Sequence, residues 1–380
     1  MAKKFVCLLV SLFFILTLTG CWSYHGLNEI TIIAGVGIDI DPSNSDYIVT
    51  CEVIDTASSG KDSGIKAGIV ESRGKTIFDA VRNAKKRLNN KLYWGNAQIL
   101  IIGNQLAQQE KLGTVTDWFI SDAECRENIG VIVSQEKSAK DLLTSKGLDN
   151  PVVSYEIKKI VDDDQSTTGS IESVPLFHVY NDLRDPGISV ALPAFHIVKN
   201  EDKPVVEANG ESIFKGEKLL GYLSAAESKN YLFAIGAIKG GILTVSSSNS
   251  APQDVTLEIA KNKTKTSYSC NGEKVKVMIQ TDTDVYLDED KPNVDFLDQH
   301  EIEQLETKAQ NMLEHNITNT VKRVQTDYNS DIFSFGNMIY KKDPKLWEQL
   351  EPKWDKLFPS IQVEVKSKVN IVNTSFLKHS

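Results

Sequence analysis

The sequence predicts an α+β protein of more than one domain, with mixed sheets and packed helices, behind a lipidated N-terminal tail. Three observations carry this. The chain has 380 residues, more than one ordinary domain holds. Short apolar runs of strand length alternate with amphipathic stretches of helical period along it. Hydrophobic residues make up 41% and charged residues 24%, enough to bury a substantial core.

The leader comes first. Lys3 and Lys4 precede fourteen uncharged residues, Phe5–Leu18. A spanning helix needs about 20 apolar residues, so this is a signal peptide over 1–20. Leu18-Thr19-Gly20-Cys21 has lipobox form: small residues admit the backbone to a narrow protease groove, and the Cys21 thiolate takes a diacylglyceryl group. Two acyl chains anchor a protein stably where one is marginal. Cys21 is therefore the expected lipidation site and the first mature residue.

The mature chain opens with a strand at Ile30–Gly35 and another at Tyr47–Ile54, whose Val49, Cys51 and Val53 share a face. Residues 58–68 read as a loop. Thr76 opens a helix with Asp79 three residues on, in capping-box spacing, and Ile77, Val81, Ala84 and Leu88 line one side. A strand is expected at Ala97–Ile102, a helix at Gln105–Phe119, a strand at Ile129–Val133, and a short helix capped by Ser138 and Asp141. Asp162–Gly169 is polar enough for an exposed loop. Lys199–Pro204 is the expected domain boundary, giving units 21–204 and 205–380, with a possible further split at 246–252. A hairpin turns at Lys215-Gly216. Ile302, Leu305, Ala309, Met312, Ile317, Val321 and Val324 mark a long helix. Ile361, Val363, Val365, Val369 and Ile371 alternate with polar residues as a strand with one wet face. No internal repeat is visible.

Composition narrows function. The net charge is −9, and loss of Lys3 and Lys4 with the leader makes it more negative still. A chain this acidic does not track nucleic acid, and its net charge gives it no hold on anionic head groups. Cys51, Cys125 and Cys270 are too scattered for a disulfide network or a zinc motif and read as small buried residues. Gly74-Lys75-Thr76 lacks the upstream glycine of a phosphate loop, so helix capping is the better account. Gly35-Val36-Gly37 lacks the third glycine of a dinucleotide fingerprint and suits close strand packing. Asp39 and Asp41 read as a solvated strand end rather than a cation site. The histidines show no metal spacing and no nucleophile elbow appears. No catalytic, cofactor-binding or metal-binding residue is therefore assigned, and no enzyme activity is expected. Trp347 and Trp354 read as core anchors rather than a ligand shelf.

These residues also carry a family likeness. Cys21-Trp22 with Leu27-Asn28-Glu29 and Gly35–Asp39, Gly74–Ala80 with Leu92–Gln98, Phe214–Leu223, and Asp331–Gly336 leading to Trp347 and Trp354, in this order behind a lipobox, resemble the Ger(x)C spore germination lipoproteins. Asn96, Ser121 and Asn373 depart from the family pattern, standing where His, Arg and Gly are usual. The resemblance covers nearly the whole mature chain. It implies three α/β domains and a non-catalytic C subunit of a nutrient germinant receptor. It further implies a place on the outer face of the spore's inner membrane and integral-membrane A and B subunits as partners. The rival reading is a solute-binding lipoprotein of a transporter, which would need two similar lobes around a cleft.

Overall fold

In the computed structural model, residues 29–55, 66–88, 90–109, 111–246, 253–287 and 299–374 are described. Among them the strands form two sheets. The first runs β3 (Lys66–Gly74), β2 (Tyr47–Asp55), β1 (Ile30–Ile40), β5 (Ile99–Ile102), β6 (Gly130–Ser134), β7 (Ala191–Asn200), β8 (Lys203–Lys215) and β9 (Lys218–Leu223). A short β4 (Lys91–Tyr93) adds to β1. The centre, β1-β5-β6-β7, is parallel and the two flanks are antiparallel.

Helices cover both faces of that sheet, as a parallel centre requires. Ile99 and Ile101 point to one side, packing on α4 (Ala139–Leu143) and α5 (Val153–Thr167). Leu100 and Ile102 point to the other, packing with α1 (Ile77–Ala84), α2 (Asn104–Ala107), α3 (Leu112–Ser121) and α6 (Leu176–Asp182). The β1 glycines permit close approach: a Cβ on Gly35 would stand 2.1 Å from Ser154 Oγ, and one on Gly37 would stand 2.7 Å from Ala139 Cβ.

The second sheet is β10 (Ile242–Ser246), β11 (Gln253–Asn271), β12 (Lys274–Leu287) and β13 (Gln362–Thr374). β13 lies parallel to β12, so the chain must cross over between them. It does so through α8 (Gln299–Arg323) and the helices α9 (Phe335–Lys342), α10 (Pro344–Leu350) and α11 (Trp354–Leu357). α7 (Ala225–Ile235), capped by Ser224 and Glu227 and stopped by Gly236 at φ 76, links the sheets. Ala191, Ile213 and Leu223 of the first sheet join the second sheet's core, so apolar packing is continuous across the joint.

Several expectations need correction. Lys199–Pro204 is the turn of the β7–β8 hairpin, whose strands pair from Ala191↔Ile213 to Asn200↔Lys203, so the first sheet continues to Leu223. A polar turn on a hairpin has the same composition as a linker. The segment 247–252 lies outside the described residues, and the strands flanking it pair with each other. Asp162–Thr167 is helical: Asp164 is buried and its carboxylate accepts from the Ser170 and Ile171 amides at 2.6 and 2.7 Å, so polarity there serves the helix end. The expected Gln105–Phe119 helix is broken into α2 and α3, the Gly113 amide near the start of α3 being held by Glu217 at 3.0 Å. On α8, Leu313 rather than Met312 is fully inside. β3 begins at Lys66, within the stretch 58–68 expected to be a loop, whose residues 58–65 lie outside the described residues.

Candidate functional site

Two of the quoted sequence blocks, Phe214–Leu223 and Asp331–Gly336 with Trp347 and Trp354, meet at the joint between the sheets. The β8–β9 turn supplies Lys215 and Gly216, the latter at φ 57 with open space around a would-be Cβ. The loop before β7 supplies Gly187, Ile188 and Ser189. α8 ends in a π-turn over Val324–Tyr328, and Asn329 then takes a left-handed conformation at φ 45, ψ 50. That reversal sends Ser330 and Asp331 back towards the first sheet.

Asp331 is the fixed point. Its carboxylate accepts from the Phe335 amide at 3.1 Å, the Gly336 amide at 2.8 Å and Trp354 Nε1 at 3.3 Å, capping α9 and locating the second tryptophan. Its main-chain oxygen accepts from the Ser189 amide at 3.0 Å. Burial pushes its carboxyl up to about 7 against the lowering effect of those donors. Next to it the backbones of Gly187 and Gly336 touch: a Cβ on Gly336 would stand 2.8 Å from Gly187 Cα. Asn337 closes the contact by donating from its amide to Gly187 O at 2.8 Å and from Nδ2 to Pro186 O at 2.9 Å. Trp347 and Trp354 pack edge to face with centroids 5.1 Å apart, both buried, as core anchors.

A cleft of about 360 Å³ remains at this joint, lined among others by Ser189, Lys215, Asn329, Asp331, Trp347 and Trp354. Lys215 Nζ and Asp355 Oδ1 close its rim at 3.1 Å. Trp347 Nε1 and Asn329 Oδ1 are buried without a hydrogen-bond partner among the described residues. The arrangement offers donors, acceptors and the buried carboxyl of Asp331, and its evident work is to rivet the first sheet to the helices of the second.

A second polar cluster lies at the same joint. Glu211 is fully buried on β8; one oxygen accepts from the Glu172 amide at 2.5 Å and the other has no partner among the described residues. Burial, then the neighbouring Glu172 charge, raises Glu211 well above the usual range, and Glu172 itself is pushed up to about 7, chiefly by burial.

The expected lipidation site, Cys21, lies outside the described residues. Thr76 does cap α1, accepting from the Asp79 amide at 3.1 Å, while Asp79 Oδ2 reaches back to the Lys75 amide rather than to Thr76. Asp39 is not solvated: it is buried, accepts from the Ala139 amide at 2.8 Å at the start of α4, and burial raises its carboxyl to about 6. Glu52 likewise receives the Val153 and Ser154 amides of α5 at 2.9 and 2.7 Å. No local sequence pattern marks Ser189, Asn329, Glu172 or Glu211, which act through partners distant in the chain. For Asp331 alone there was a signal, its place at the head of the Asp331–Gly336 block. Among the described residues, no group of three His, Cys, Asp or Glu could hold a metal. No described helix is long and apolar enough to cross a membrane.

Comparison with known proteins defines the class. The profile described as "Spore germination protein N-terminal domain" matches residues 23–197, and that described as "Spore germination B3/ GerAC like, C-terminal" matches 209–375. The chain belongs to this family of spore germination proteins, and the two profiles meet across the β7–β8 hairpin. Among relatives in Bacillus subtilis (strain 168), spore germination protein KC is 22% identical, with 98% of this chain and 97% of the relative covered. Spore germination protein B3 is 26% identical, with 96% of each covered. The solved structure of the GerBC protein aligns with TM-score 0.56 at 20% identity, covering 89% of this chain and 97% of that one, and so supports the mixed α+β fold.

Proposed function

We propose that this chain is a non-catalytic lipoprotein subunit of a spore nutrient germinant receptor. It would be anchored through acylated Cys21 to the outer face of the spore's inner membrane, working there with integral-membrane A and B subunits. The observation that carries the reading is the ordered match of both family profiles over 23–197 and 209–375. The architecture supports it over the solute-binding alternative, because the two sheets differ in strand number and topology and do not make two similar lobes. The test is replacement of the native gene by Cys21→Ala. The reading expects the variant to be shed from spore membranes or left unprocessed, nutrient germination to be lost, and the parent to co-purify with two integral-membrane subunits. A variant that resists alkaline and salt washing and germinates normally refutes the anchor. Purification of the parent without membrane partners refutes the subunit assignment.

A further inference from the structure

The second sheet has one face against helices and one open. β12 alternates strictly, with Val275, Val277, Ile279, Thr281, Thr283, Val285 and Leu287 buried. Its even-numbered residues therefore share the open face. Register places Lys261, Lys263 and Lys265 of β11 opposite Asp284, Asp282 and Gln280, and Lys366 and Lys368 of β13 opposite Gln280 and Asp282. Five lysines thus flank the middle of the central strand on both sides. Lys366 has a loose contact with Glu364 at 3.6 Å, whereas Lys261, Lys263, Lys265 and Lys368 have no ion pair among the described residues. Asn370 Nδ2 holds both Asp282 and Asp284, at 3.0 and 2.9 Å. Lys274 and Lys276 extend the face, and Glu258 and Glu364 add acids to it. A shallow hollow of about 650 Å³ lies among Lys263, Lys265, Gln280, Asp282, Lys366 and Lys368.

One end of this face is apolar. Ile242, Tyr286 and Val372, on β10, β12 and β13, are 49%, 43% and 51% exposed. A chain of net charge −9 has therefore gathered lysines, four of them without an ion pair among the described residues, and an apolar strip on one open face.

We propose that this open face rests on an anionic lipid surface and sets the orientation of the anchored protein; the proposal rests on the membrane location argued above. The chemistry chooses the occupant. Lysine is depleted from protein–protein interface cores, yet it is the residue that defines this face. Lysines near an anionic bilayer gain from its negative surface potential, and long lysine stems reach head groups without burial of the charge. An exposed tyrosine with aliphatic neighbours suits the head-group boundary. The acidic remainder of the molecule is directed away from the lipid when this face is down.

The test places the full lipidated chain on vesicles of neutral phosphatidylcholine, or of the same lipid with anionic phosphatidylglycerol, and measures acetylation of each lysine by mass spectrometry. Lys263, Lys265, Lys366 and Lys368 should label about five-fold more slowly on anionic than on neutral vesicles, and high salt should erase the difference. Lys159 and Lys345 serve as controls that should not change. Replacing Lys263, Lys265, Lys366 and Lys368 by Gln should remove the protection of Lys261 and Lys276. Equal labelling on both vesicles, or protection indifferent to lipid charge, overturns the proposal. Protection that appears only with membrane-protein partners overturns it in favour of a protein interface. If the chain floats with neither vesicle, the anchor has failed and the face with it; flotation with anionic vesicles alone supports the face without the anchor.

Discussion

Replacing Asp331 by Ala removes one acceptor from three donors, the Phe335 and Gly336 amides and Trp354 Nε1, at a site only 5% exposed. A buried donor left unpaired costs about 1–3 kcal/mol, and part of this is offset because a buried carboxyl is removed as well. The expected net loss at pH 5 is about 2–4 kcal/mol. The pH dependence separates capping from mere packing. The folded-state pKa of Asp331 rises from 3.8 to about 7, so its contribution is full below about pH 4 and is lost as pH climbs through about 7. A rise of that size corresponds to something on the order of 4 kcal/mol. The parent therefore gives up stability over this window and Asp331→Ala does not, so the gap between them should narrow from pH 5 to pH 8. Urea unfolding of the mature chain at both values measures it. No loss at pH 5 would refute the capping role, and an equal gap at both values would refute the burial of a proton-holding carboxyl.

Three further outcomes follow from the packing. Val365 is 6% exposed on the inner face of β13, so Val365→Asp should lower stability by several kcal/mol or abolish soluble protein, while Lys366→Ala stays within about 0.5 kcal/mol by thermal denaturation. Gly336→Ala drives a Cβ into the Gly187 backbone and the Trp347 ring and should cost about 1–3 kcal/mol, whereas the same change at Gly216, where nothing lies within 4 Å, should cost about 1 kcal/mol through its φ alone. Glu211→Gln keeps an acceptor for the Glu172 amide and removes the titration. It should match the parent within about 1 kcal/mol at pH 5 and fall less steeply towards pH 9 in the same unfolding assay, because raised carboxyls lose stability as pH rises.

Sequence alone determined the features set by local chemistry. The Thr76 and Ser138 caps, the Lys215-Gly216 turn and the alternation of Ile361–Ile371 depend on neighbours one to four residues apart, and the structure carries each of them. The long helix from Ile302 was legible for the same reason, although its stripe ran through Leu313 and not Met312. The order of the family blocks was also readable, and with it the class of protein. What only the tertiary structure decided depends on partners far apart in the chain. A polar run could be linker, loop or helix end, and long-range pairing chose: Lys199–Pro204 became a hairpin turn because β8 pairs with β7, and Asp162–Thr167 stayed helical because Asp164 is buried under Ser170 and Ile171. Asp39, Asp331 and Glu211 looked like ordinary acids, since desolvation is a property of surroundings assembled from across the fold and not of the residue type. The lysine face was hidden in the same way. Lys261–Lys265 and Lys366–Lys368 lie about a hundred residues apart within an acidic chain, and only the β11-β12-β13 register sets them on one surface.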